Sequence, residues 1–170
     1  MNNNDVLMRL RYALDIKDTN MVEIFDLGGF QTSKEDIQKM LTKQNSDSNN
    51  DQSSEFLENE YLQKCEDYML ESFLNGLITY KRGKQDGKQE EPPKHELDDR
   101  TVNNILLKKV KIALSLTSED MLDILEEAGV NISKSELSAV LRKEGHRNYK
   151  ACGDRYARNF LKGLALRYRS

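Results

Sequence analysis

Apolar residues recur along this chain at three- and four-residue intervals, and they do so twice. Val6, Leu7, Leu10, Ala13 and Leu14 fall on one helical face, and Leu106, Leu107, Val110, Ala113 and Leu114 repeat the pattern. The spacing predicts a first helix from about Asn4 to Ile16. Met21, Ile24 and Phe25, echoed by Met121, Ile124 and Leu125, mark a second helix. It should be capped near Asp18 or Ser118 and stopped at Gly29 or Gly129, where positive φ is needed. A third helix opens on Ser33 or Ser133. Asp36 or Glu136 follows in the position of a reciprocal cap, and Ile37, Met40 and Leu41 or Leu137, Val140 and Leu141 form the buried face. A fourth begins near Asp67 or Asp154, with Met69, Phe73, Gly76, Leu77 and Tyr80 along one side. Glycine inside a helix costs roughly 1 kcal/mol against alanine. Gly76 and Gly163, each following a phenylalanine by three residues, therefore predict close approach of another helix.

The two passes are one module written twice. Residues 3–43 align with 103–143 without a gap, and Asn3, Asn4, Leu7, Met21, Ile24 and Gly29 recur as identical residues at 103, 104, 107, 121, 124 and 129. With a shift of 87, Cys65, Asp67, Phe73, Leu74, Gly76 and Leu77 match Cys152, Asp154, Phe160, Leu161, Gly163 and Leu164. The first copy thus carries an insertion, placed in the Asn/Ser/Asp-rich run at about 44–56. The expected fold is all-α, a tandem duplication of a four-helix module. Residues 1–82 form the first module, 83–101 a linker holding Pro92 and Pro93, and 102–170 the second. A pseudo-two-fold should relate the modules within one body. Each pair of second and third helices resembles a helix-turn-helix only loosely, because the spacing after Gly129 is longer than in the common DNA-binding form.

Charge breaks the symmetry. The chain carries a net −3, but residues 142–170 hold nine Lys/Arg against two Asp/Glu, a balance of +7, which leaves −10 for the rest. On the last helix Arg155, Arg158, Lys162 and Arg169 fall within about 60° of arc at about 100° per residue, opposite Tyr156, Phe160 and Leu164. The matching residues of the first copy are Tyr68, Glu71, Asn75 and Arg82, so the fold does not require a basic ridge. With His146, Arg147 and Lys150 widening the patch and Tyr149 placed to stack, this region suits nucleic acid, RNA more readily than duplex DNA. A solubilising helix face is the plainer reading of the same residues. A protein partner is the alternative, because the acidic first module and the linker suit an adaptor equally well.

Catalytic chemistry finds little support. Cys65 and Cys152 occupy equivalent sites and are expected to be buried and reduced. The only histidines are His95 and His146, too few for a cysteine–histidine metal site. A Cys152–His146–Asp154 set has no counterpart in the first copy, where Asn59 stands in place of the histidine. The chain is read as non-enzymatic, with no cofactor or metal. No apolar run approaches the roughly 18 residues of a membrane span, and the Asn-rich start lacks a secretion signal, so a cytoplasmic protein is expected.

The doubled Cys, Asp, Phe-Leu-x-Gly-Leu pattern has Lys81-Arg82-Gly83 after the first copy and Gly153-Asp154 after the second cysteine. It resembles the YehS-like family of bacterial proteins, a duplicated domain of unknown function. The resemblance spans nearly the whole chain. It implies a bacterial cytosolic protein and brings no catalytic residues.

Overall fold

The structure, a computed structural model, describes residues 1–43, 61–83, 101–142 and 145–169. The expected insertion and most of the linker lie outside the described residues. Among those described, the chain is all-helical: α1 (Asn3–Leu14), α2 (Asp18–Leu27), α3 (Lys34–Leu41) and α4 (Asp67–Arg82), then α5 (Val102–Ala113), α6 (Ser118–Glu127), α7 (Lys134–Leu141) and α8 (Asp154–Tyr168). The one extended pairing is an isolated bridge between Lys43 and Tyr61.

Every helix contact in one module has its twin in the other. Helix α2 packs on α3 and α4, as α6 packs on α7 and α8, and α1 touches α3 and α4, as α5 touches α7 and α8. Between modules, α1 lies on α8 and α4 lies on α5. These two seams exchange under a pseudo-two-fold, since α1 is equivalent to α5 and α4 to α8. Leu7, Leu10, Phe25 and Phe73 join Leu107, Val110, Leu125 and Phe160 in one continuous buried cluster. Each module on its own has a small core, and merging them lowers the fraction of apolar surface left in water.

Three local readings shift in the structure. The first helix stops at Leu14 because Asp15 turns left-handed (φ 51°), as does Ser115 (φ 54°) in the second copy. Ile16 and Leu116 are buried, but from beyond that turn. The second helices are capped one residue earlier than expected. Lys17 caps α2 without a side-chain bond, whereas Thr117 and Asp120 form a full reciprocal cap on α6. Ser33 and Ser133 accept from the backbone N–H of Asp36 and Glu136, but the reciprocal cap is completed in α1, by Asn2 and Asp5. The stops at Gly29 (φ 93°) and Gly129 (φ 89°) are as expected.

The two interior glycines are crossing points. A Cβ built on Gly76 would overlap the carbonyl oxygen of Ile24, and one on Gly163 would overlap that of Ile124. The long connection into the last helix is held by side chains of the first. Asn4 is 3% exposed, and its amide donates to the carbonyls of Met40 (2.9 Å) and Gln63 (2.8 Å) while its oxygen accepts from the Cys65 N–H (2.9 Å). Asn104 does the same with Val140 (2.9 Å), Lys150 (2.8 Å) and Cys152 (2.8 Å). Asn3 and Asn103 add bonds to the cysteine carbonyls and to Asp67 and Asp154.

Two outcomes follow for stability. Gly163→Ala should lower the thermal midpoint by roughly 2–8 °C, because about 2–3 kcal/mol of overpacking against backbone exceeds the ~1 kcal/mol gained in helix propensity. Asn104→Ala strands two carbonyls and one N–H in the interior and should cost about 3–5 kcal/mol in denaturant unfolding. Because the core is shared, the loss should appear as one shifted transition, not as separate melting of the second module. Unfolding monitored by circular dichroism measures both.

Candidate nucleic-acid interface

Helix α8 buries Ala157, Phe160, Leu161 and Leu164 and leaves the opposite side to solvent. Arg155, Arg158 and Lys162 are exposed there. Among the described residues, none of their side chains makes a hydrogen bond or ion pair. Arg147 and Lys150 are exposed on the connection that precedes the helix. That connection is pinned from both sides: the Lys150 N–H donates to the Ala139 carbonyl at 3.0 Å, and its own carbonyl accepts from Asn104. Tyr149 is half-buried, with its backbone N–H on the His146 carbonyl at 3.0 Å.

Arg169 sits apart from this group. It lies just beyond the end of α8 and reaches across the seam to α1. Its guanidinium stacks on the Tyr12 ring, 4.1 Å from the centroid, and it donates to the Tyr12 carbonyl (2.9 Å) and the Asp15 carboxylate (3.3 Å). The fourth cation of the predicted ridge therefore helps to close the modules on each other. Arg167 is likewise paired, with Asp120 at 3.3 Å.

The internal symmetry supplies a cation that reading α8 alone leaves out. In the α4–α5 seam Lys109 donates to the Asn75 side chain. The equivalent residues of the α1–α8 seam are Arg9 and Lys162, both exposed. The one seam pairs a cation with a neutral amide, and the other places two cations at the corresponding positions. The signal lay in the alignment, where Arg9 matches Lys109.

Next to the ridge lies a pocket of about 490 Å³, within the range of small-ligand sites. Its apolar walls are Val130, Ile132, Val140 and Ala151, and its polar lining includes Glu136, Lys150, Arg155 and Asn159. The Tyr156 ring forms part of it, and the phenol oxygen is buried without a hydrogen-bond partner. Burial, reinforced by Cys152 and Glu136, pushes the phenol pKa well above its ordinary value, so the group is a neutral donor.

Both cysteines are buried, and burial pushes each thiol up to about 12, far from the thiolate that nucleophilic or metal chemistry needs. The His146 ring nitrogen Nδ1 accepts from the Asn148 N–H at 3.2 Å. No group of three or more His, Cys, Asp or Glu that could hold a metal occurs among the described residues. No helix among them is long and apolar enough to cross a membrane.

Comparison with known proteins agrees with the duplication. Residues 3–83 and 103–170 each match a family described as "Protein of unknown function (DUF1456)". The chain is 40% identical over 167 residues to "Uncharacterized protein YehS" of Escherichia coli (strain K12), covering 98% of this chain and 96% of the relative. No solved structure matches it. Both the doubled family match and the near-full-length similarity place the chain in one group: it belongs to the DUF1456 family, and carries its domain twice.

Proposed function

We propose that this protein binds nucleic acid, preferentially single-stranded RNA, along the exposed face of α8, and that it does so without catalysing a reaction. The observation that carries the reading is the exposed basic row Arg155, Arg158 and Lys162, in which Arg158 alone feels a nearby carboxylate, Asp154. It appears in one of two modules with the same fold. Cations held side by side repel one another, and a phosphate backbone relieves that repulsion while releasing counterions. Arg147 and Lys150 extend the row at one end, and Arg9 extends it across the module seam. The Lys150 backbone, bonded to Ala139 and Asn104, fixes where that side chain leaves the surface and lowers its ordering cost on binding.

Titration of labelled single-stranded RNA and duplex DNA at several salt concentrations tests this. Engagement of three or four phosphates predicts a log–log salt slope of about −2 to −3 for a single strand. The triple variant Arg155→Glu, Arg158→Glu, Lys162→Glu should weaken binding more than about tenfold and flatten the slope by about 2. Absence of binding at low salt, or undiminished binding by the triple variant, overturns the reading. A second titration with Arg169→Glu separates the two classes of arginine. That variant should lower thermal stability, by freeing the seam with α1, while leaving the salt slope in place.

A further inference from the structure

We infer that the pocket beside the ridge receives one unstacked base of the bound strand, its adjoining phosphate resting on Arg155 and Lys150. This deepens the nucleic-acid reading and rests on it.

The first module shows what the fold does when the pocket is not needed. There Phe30 stands where Val130 stands in the second copy, and Tyr68 where Arg155 does. The Phe30 ring packs edge-on against Phe25 at 5.6 Å and Tyr68 at 5.9 Å between centroids. The second module replaces these rings with Leu125, Val130 and a cation. A further exchange adjoins it. A Cβ on Gly28 would overlap the Ser72 carbonyl, so α2 meets α4 through bare backbone. The second copy has Ala128 at that position and Asn159 opposite. Ala128 thus adds a methyl at the end of α6, beside Gly129 and Val130 of the pocket lining. Substitutions confined to one copy remove the aromatic filling at this point.

What remains has the chemistry of a base site. Val130, Ile132 and Val140 offer apolar surface to a flat ring. The Tyr156 ring adds a further flat surface to that lining. The Glu136 carboxylate accepts from an exocyclic amine, and the Asn159 amide can donate or accept. Arg155 belongs both to the pocket and to the ridge, which fixes the distance between base and phosphate. Recognition of single-stranded RNA commonly works this way, with splayed bases read on their edges while the backbone lies on cations.

The test compares a short single-stranded RNA with an abasic strand of the same length at one salt concentration. Wild-type protein should prefer the base-bearing strand by about tenfold. Val130→Phe places in the second copy the residue the first copy already carries, and should abolish that preference while the abasic strand still binds. Glu136→Gln preserves the shape, replaces the carboxylate acceptor with an amide, and should change the ranking of homopolymeric strands several-fold. Thermal melts confirm that each variant is folded. If wild type binds both strands equally, the pocket inference falls and the ridge reading stands. If a base preference persists in Val130→Phe, or the strand ranking is unchanged in Glu136→Gln, bases bind elsewhere and the inference falls. If neither strand binds at low salt, both readings fall together.

Discussion

A single side-chain amide organises each half of this protein. Asn4 and Asn104 sit in the first turn of the first helix of their modules and are almost wholly removed from water. Each amide carries two donors and an acceptor, and each spends them on one carbonyl at the end of the third helix and on one carbonyl and one N–H of the irregular backbone that leads to the last helix. Irregular backbone can be buried only if its polar groups are paired. The asparagine supplies part of that pairing, beside backbone bonds such as Gln63 N–H to Lys39 and Lys150 N–H to Ala139. It thereby fixes where the last helix starts, how the cysteine side chain enters the core, and where Lys150 stands at the surface.

The glycine crossings depend on this arrangement. Once the connection is clamped, the last helix is drawn against the second closely enough that Gly76 and Gly163 cannot tolerate a methyl group. Polar satisfaction and close packing thus point to the same geometry, as sequences that specify one structure require. The cysteines follow suit. Their raised thiol pKa values are a by-product of a connection held tightly inside the core.

Much of this was readable in advance because the chain contains its own control. The eight helices, the close approach at Gly76 and Gly163, and the burial of Cys65 and Cys152 all came from positions that agree between copies. The ends of the helices were harder. Ile16 and Leu116 continue the apolar rhythm of the first helix, yet they lie past a left-handed residue, so periodicity overran the true stop. Thr117 and Ser118 are both good caps, but only Thr117 has an acidic residue three positions on, Asp120, to complete a reciprocal cap. Asn3 and Asn4 were seen to recur, but polar residues at a helix start read as caps, and their long-range partners lie about 60 residues away. The pocket escaped for the opposite reason. It arises from the differences between copies, at residues 130 and 155, whereas a search for repeats rewards identity. Arg169 fell on the right arc of a helical wheel, but a wheel contains no neighbouring helix, and α1 lies within its reach.

The exchangeable seams, α1 on α8 and α4 on α5, have the form of an isologous interface, in which one surface meets its own copy. In a dimer of identical subunits every substitution appears twice, so a cation introduced on one last helix also appears on the other. Joining both modules in a single chain lifts that constraint. Each half can then change its outer face alone, while the inner faces, which must still fit each other, change together or not at all. The acidic first half and basic second half of this protein are the form such release takes: one architecture, with its two outward surfaces free to acquire opposite chemistry.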